Sequence, residues 1–277
     1  MKKVAIIGAG GKMGYRVSAN LRNAPYDVSH VEVSEAGRNR LKELGITCVD
    51  ADAALRDADI VILTIPDNMI EKVTAQLESK FKKGATLIAL DAAAPFAGHL
   101  PDRADLTIFV AHPCHPPIFN DETDLEAKRD YFGGIKAKQA IVCALLRGDE
   151  KNFAAAEDVA KRMYAPVMRS HRATVDQMAI LEPALSETVC ATCLTVIREA
   201  TDEAVRRGVP EQAARDFILG HLNVELAILF DQLPGVRMSD AANKAVERAK
   251  KEIFAPDWKK VFEREAIAEN IRMITSP

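Results

Sequence analysis

The N-terminal stretch Lys2-Lys3-Val4-Ala5-Ile6-Ile7-Gly8-Ala9-Gly10-Gly11-Lys12-Met13-Gly14 constrains the fold more than any other part of the chain. A short apolar strand runs directly into glycines, and the residues that follow can open a helix. Gly8 permits a tight turn, and Gly10 carries no side chain to obstruct a pyrophosphate. Gly14, or Gly11, lets the helix pack close to the strand, so that N–H groups at the helix start, around Gly11, Lys12 and Met13, meet the phosphates of a dinucleotide. A second apolar run, Val28 to Val33, carries Glu32 roughly 20 residues beyond the glycines, where a carboxylate binds the adenosine ribose and repels the 2′-phosphate of NADP. NAD is therefore the expected cofactor. Arg38 and Arg40 lean the other way, and a solvated strand-end charge is the alternative role for Glu32.

Composition narrows the remaining classes. The 277 residues are 48% hydrophobic and 28% charged with net charge −3, which suits one or two globular domains. No run of Lys and Arg is present, so nucleic acid is not an expected partner. Lys2-Lys3 precedes only four apolar residues, too few for a signal peptide, and no stretch of about 18 apolar residues is read in the chain, so no membrane span is expected. The five cysteines are odd in number. Cys190-x-x-Cys193 falls in a helical pattern, where small buried helix residues are expected and a redox or zinc role is the alternative. A cytoplasmic, reduced protein is the expectation.

Strand and helix patterns alternate through the first part. Strands are expected at Val4–Ile7, Val28–Val33, Thr47–Val49, Asp59–Thr64, Thr86–Leu90, Thr107–Val110, Gln139–Leu146 and Pro166–Arg169. Helical patterns lie between most of them. This is the signature of an α/β fold, a Rossmann-type doubly wound parallel sheet. From Thr174 the chain reads as helix only, which predicts a dinucleotide-binding domain over 1–172 and an all-helical substrate and dimerisation domain over 173–277. The long helix there is apolar and small-residue-rich (Ala184, Leu185, Val189, Ala191), a pattern of dimer cores, so a homodimer is expected.

Ligands of such sheets sit beyond the carboxyl ends of the strands. Pro66 and Asp67 follow one strand and are expected to line the cofactor. Asp91-Ala92-Ala93-Ala94-Pro95 follows the next and leaves room for nicotinamide. Ala111-His112-Pro113-Cys114-His115-Pro116-Pro117 follows the third, where flanking prolines hold His112 as a general base or a metal ligand. His115 is a second candidate; Asn120, Asp121 and Glu122 are expected to be a solvated loop, with orienting substrate as the alternative. Glu182 sits among apolar residues directly before Pro183, with Ser186 on the same face. A buried carboxylate there needs a cation, either a divalent metal shared with His112 or an arginine such as Arg169 or Arg172. His221 and Glu225 form an i, i+4 pair that is either a further site pair or a satisfied helix face.

The run from Ala111 to Glu122, followed by Leu181-Glu182-Pro183-Ala184-Leu185-Ser186-Glu187, resembles the D-apionate oxidoisomerase family, within the superfamily of 6-phosphogluconate, prephenate and pyrroline-5-carboxylate dehydrogenases. The resemblance covers essentially the whole chain. It implies NAD-dependent oxidation of a small sugar acid with a carbon-skeleton rearrangement to 3-oxoisoapionate, akin to ketol-acid reductoisomerase chemistry and assisted by a divalent metal. Carried onto this sequence, His112 and Glu182 are the metal candidates, and His115 and Glu187 are available for acid–base work. No lysine occurs between Arg162 and Asn243, so the catalytic lysine that β-hydroxyacid dehydrogenases place on their long helix has no counterpart here. A plain NAD-dependent hydroxyacid dehydrogenase and a non-catalytic NAD-sensing module are the alternatives.

Overall fold

The computed structural model describes residues 1–276. Contacts divide the chain into two compact units, one of Met1–Glu182 with the stretch from Ala268 onward, the other of Pro183–Ile267. The expected boundary at residue 172 falls inside the first unit.

That first unit is built on seven strands. They are β1 (Lys2–Ile7), β2 (Tyr26–Val31), β3 (Ile60–Leu63), β4 (Thr86–Ala89), β5 (Thr107–Pro113), β6 (Gln139–Arg147) and β7 (Val167–Arg172), in the spatial order β2-β1-β3-β4-β5-β6-β7. All neighbours are parallel except β5 and β6, which run antiparallel. Thr47–Val49, expected as a strand, is irregular chain tied to β2 by the Val49 N–H donating to His30 O. Three residues there are too few for a ladder of their own.

Between the strands run α1 (Lys12–Leu21), α2 (Glu35–Glu43), α3 (Ala51–Leu55), α4 (Asp67–Leu77), α5 (Ala93–Ala97), α6 (Leu125–Arg129) and α7 (Lys151–Met163). Alternation along each strand sends side chains to opposite faces, and both faces are covered. Val4, Ile6, Ile62, Ile88 and Phe109 pack with Val17 and Leu21 of α1 and Val159 of α7. Ala5, Ile7, Val61, Leu63 and Leu87 pack with Leu55 of α3 and Ile70 of α4. The β1–α1 turn is as tight as the glycines demand. Gly8 takes a left-handed φ of +81°, and a Cβ on Gly14 would lie 2.1 Å from Gly8 O.

After β7 the chain is helical: α8 (Val175–Ala179), a π-helical stretch (Ile180–Ala191) containing Pro183, and α9 (Thr192–Arg206). Then come α10 (Glu211–Leu229), α11 (Asp240–Ile253) and α12 (Arg264–Thr275). The helix Val175–Arg206 is long and apolar enough by composition to cross a membrane, with a best 18-residue window of mean hydropathy 1.4. The expectation that the chain holds no apolar stretch of about 18 residues is corrected by this helix, whose apolar character Glu182 and Glu187 interrupt without removing. In the second unit α9 and α11 bury no residue and α10 buries only Ala214, while Leu194, Phe217, Leu219, Leu229 and Phe230 are exposed. Cys190 is exposed and Cys193 half-buried, not packed away as small helix residues were expected to be, because the apolar faces here lack cover within the chain.

His30 on β2 is buried, and its Nε2 has no hydrogen-bond partner. Burial lowers its pKa to about 4, so the native imidazole stays neutral while the unfolded one takes up a proton below about pH 6.5. The contribution of His30 to stability is therefore full above pH 6.5 and falls by about 1.4 kcal/mol per pH unit as pH drops toward 4. In His30→Leu this share of the acid decline should vanish, as measured by urea midpoints across that range. An unchanged acid limb would show that His30 does not contribute.

Candidate functional site

The β1–α1 turn spends most of its own amides internally. The N–H groups of Gly8 and Ala9 donate to Val31 O, Gly11 N–H donates to Gly8 O, and Gly10 N–H donates to Glu32 Oε2. Helix α1 has no side-chain cap, so the first-turn amides of Lys12 and Met13 are the donors left over. Both residues line a cleft of about 510 Å³ that also contains Gly11, Pro66, Asp67 and Thr64. The cofactor-side residues expected from sequence thus divide into two groups. Gly11, Lys12, Met13, Pro66 and Asp67 reach the cleft; Gly8 shapes the turn, and Gly10 is committed to Glu32. Lys12 has no acidic partner among the described residues, so its ammonium is available to an anion. A polar edge lined by Glu32, Arg38, Lys42, Thr47 and Asp50 forms a separate pocket beside β2. Arg38 donates through Nε to Glu32 O, and Arg40 is exposed.

The same cleft is also lined by Leu90, Asp91, His112, His115, Phe132 and Tyr164. His112 does not lie beyond its strand as expected. β5 continues to Pro113, and His112 pairs with Val142 of β6. The cause is the antiparallel partner strand, which extends the ladder past the point where the parallel neighbour β4 stops.

The imidazole is held at both nitrogens. Nδ1 lies 2.7 Å from Leu90 O, and because a carbonyl only accepts, Nδ1 carries the proton. Nε2 lies 3.0 Å from Glu182 Oε2, and Asp91 Oδ2 is 3.6 Å from Nδ1. Asp91 is itself oriented by the Ala93 N–H, 2.6 Å from its other oxygen. Glu182 is thus paired with His112, not with Arg169 or Arg172; Arg172 is taken by Glu150. Within the described residues, Asp91, His112 and Glu182 form the one group of three metal-capable side chains whose donor atoms all lie within 4.8 Å of one another.

Two carboxyl groups and one imidazole in a half-buried spot carry surplus negative charge. Burial and Asp91 push the Glu182 carboxyl up despite the imidazole beside it. Burial opposes charge on His112, but Glu182, Asp91 and the Leu90 carbonyl outweigh it and raise its pKa. The cluster holds extra protons, and a divalent cation would take their place. The donor set fits one: an imidazole nitrogen oriented through its other ring nitrogen, and carboxylate oxygens from two elements. Asp91 as a member of this group was missed in the sequence; the available signal was an acidic residue directly after the apolar run of β4.

His115 sits at φ +61°, a left-handed conformation rare outside glycine. Its Nδ1–H donates to Phe132 O at 2.9 Å, which leaves Nε2 unprotonated in the neutral ring. Tyr164 donates its hydroxyl to Ala111 O, and burial keeps the phenol protonated. Asn120 and Glu122 brace the loop, with Asn120 Nδ2 donating to Pro117 O and Lys138 N–H donating to Glu122. Glu187 lies exposed in the second unit and is not part of the cluster. His221 stacks on Phe217 and bonds its carbonyl, a satisfied helix face.

Two family models match the chain. Residues 1–116 fit the NADPH-binding domain of acetohydroxy acid isomeroreductase, and residues 120–275 fit the C-terminal domain of decarboxylating phosphogluconate dehydrogenase. Among curated proteins, the D-apionate oxidoisomerase of Cupriavidus necator is 61% identical over 275 residues, 99% of each chain. That of Rhizobium rhizogenes is 58% identical over 276 residues, 99% of this chain and 100% of that one. A crystal structure of a semialdehyde dehydrogenase NAD-binding protein from Cupriavidus necator, in complex with calcium and NAD, superposes with a TM-score of 0.97 at 60% identity. It covers 99% of this chain and 100% of that one. This chain belongs to the D-apionate oxidoisomerase family.

Proposed function

We propose that the protein oxidises D-apionate with NAD and rearranges its carbon skeleton to 3-oxoisoapionate, with a divalent metal held by Asp91, His112 and Glu182. The observation that carries this reading is the Asp91–His112–Glu182 cluster, two of whose members, Asp91 and His112, line the same cleft as Lys12 and Met13 at the uncapped helix start. Near-full-length relatives at 61% and 58% identity support the substrate.

NAD lies along the cleft, with the amides of Lys12 and Met13 and the Lys12 ammonium at its phosphates, Pro66 and Asp67 beside it, and Glu32 at the adenosine ribose. The chemistry divides into two steps. The C2 hydroxyl loses its proton and the C2–H bond gives its hydride to nicotinamide, leaving a 2-oxo acid. The C3 hydroxyl then loses its proton, and a hydroxymethyl group shifts with its bonding pair from C3 to C2. The C3 oxygen becomes the new carbonyl, and the C2 oxygen regains a proton. A bound divalent ion supplies Lewis acidity toward the hydroxyl and carbonyl oxygens. The protein's own part is orientation: Leu90 O keeps the His112 lone pair on Nε2, and Ala93 N–H fixes Asp91. His115, with Nδ1 committed to Phe132 O, is the proposed acid–base group at Nε2.

We further propose a second copy of the chain as the cover for the exposed apolar faces of α9 and α10, giving a homodimer. Five free cysteines fit a reducing compartment, the cytoplasm.

The deciding assay is NADH formation from D-apionate and NAD, with product mass determined alongside. Turnover should be abolished by a chelator and restored by a divalent ion, and the product should be two mass units lighter than the substrate, with a ketone at C3. No reduction of NAD would overturn the reading; oxidation without rearrangement would favour a plain hydroxyacid dehydrogenase. Asp91→Asn and His112→Ala should each lower kcat by about 100-fold or more while leaving the Kd for NAD within about threefold. Wild-type rates in either variant remove that residue from the site. In solution the mass should be about twice the 30.3 kDa chain, and Phe217→Asp should shift it toward monomer in light scattering. A monomeric wild type would rule out the dimer.

A further inference from the structure

The carboxylate of Glu32 is held more firmly than a ribose ligand requires. It is nearly buried at the end of β2. Its Oε1 accepts from the Ser34 N–H at 2.8 Å and from the Ser34 hydroxyl at 2.9 Å, and its Oε2 accepts from the Gly10 N–H at 2.9 Å. The Ser34 hydroxyl in turn accepts from Gly37 N–H at 3.1 Å, as the N-cap of α2. One chain of hydrogen bonds therefore joins the first turn of α2, the Glu32 carboxylate and the glycine turn before α1.

Packing closes the same triangle. A Cβ on Gly37 would lie 2.6 Å from Glu32 Cδ and 2.8 Å from Oε2, and a Cβ on Gly10 would lie 2.5 Å from the Gly37 backbone. Gly10 is thus glycine because α2 presses on it, and Gly37 is a further glycine that the dinucleotide motif does not contain. Burial pushes the Glu32 carboxyl up, but the bonds from Ser34 and Gly10 outweigh it and hold the group below its usual range.

We propose that Ser34 and Gly37 form a latch that fixes Glu32 in place and makes the adenosine end of the site selective for NAD over NADP. This inference rests on the reading above, that the cleft takes a nicotinamide dinucleotide. A carboxylate free to rotate gives way to a 2′-phosphate, and the cations beside it then bind that phosphate. Arg38 and Lys42 line this same pocket. Here the latched carboxylate stays, keeps its charge and repels the phosphate. Arg38 is drawn onto Glu32 O instead, at 2.7 Å. The fold does not impose the outcome, since the family model matching residues 1–116 describes an NADPH-binding domain. Ser34 and Gly37 are positioning residues that act through Glu32.

The test titrates the whole protein with NADH and with NADPH and compares the two Kd values, in the wild type, Ser34→Ala, Ser34→Thr and Gly37→Ala. The wild type should favour NADH. Ser34→Ala should cut that preference about tenfold, the scale of one hydrogen bond to a charged group. Ser34→Thr, which keeps the hydroxyl, should retain it. General destabilisation would weaken both ligands alike and leave the ratio unmoved. Ser34 is exposed, so its variants keep the question open to test even where Gly37→Ala does not fold. In ligand-free protein labelled with ¹⁵N-glycine, the Gly10 amide resonance should move in Ser34→Ala and stay in Ser34→Thr. An unchanged NADH-to-NADPH ratio in Ser34→Ala overturns the latch and leaves the proposed function standing. A wild type that binds neither dinucleotide overturns both.

Discussion

The Leu90 carbonyl accepts a hydrogen bond from the Nδ1–H of His112, and the orientation of the imidazole depends on that one bond. It selects the tautomer, so the lone pair of the neutral ring sits on Nε2, against Glu182. It also joins two strands at their ends, because Leu90 directly follows β4 and His112 lies near the end of β5. A histidine on a free loop would sample both tautomers and several rotamers. Here the ladder with β6 fixes the backbone and the carbonyl fixes the ring.

Holding Asp91 and Glu182 beside this imidazole is expensive in a half-buried place, since two carboxyl groups repel and neither is fully hydrated. No lysine or arginine pairs with either of them in the described part of the chain. A purely structural ion pair would be balanced by one. Glu182 is brought in by the π-helical stretch around Pro183, where Thr188 donates its hydroxyl back to Pro183 O at 2.6 Å. Irregular winding of that kind is commonly found at functional sites, where it places a side chain that regular helix would not.

The parts of this fold that were legible in the sequence are those whose physics is local. The β1–α1–β2 unit follows from apolar runs, glycines and one acidic residue, all within some thirty positions. The expected strand over Thr47–Val49 failed because apolar alternation over three residues is too short a signal. The end of β5 was misplaced for a different reason. Its last residues are held by β6, about thirty residues later in the chain, and His-Pro flanked by further prolines looks locally like a loop. His112 and Glu182 stand out in the sequence through their odd surroundings, a proline frame and an acid in an apolar run, and the structure brings the two side chains together. Asp91 had the weaker signal of following a buried strand, and only the assembled sheet sets it beside His112.

Glu32 and Glu182 show how little the residue type decides. Both are carboxyl groups largely withdrawn from water, and burial pushes each toward the neutral form. Around Glu32 the partners are N–H groups and a hydroxyl, which favour the charged form and win. Around Glu182 the nearest carboxyl group adds to the effect of burial, and the imidazole does not fully offset it. A fixed anion suits a place where a phosphate must be kept out. A carboxyl group pushed up by burial and by a second carboxyl group gains most from a cation brought beside it. Donors and acceptors placed within a few ångströms of each side chain thus tune the two carboxyl groups in opposite directions.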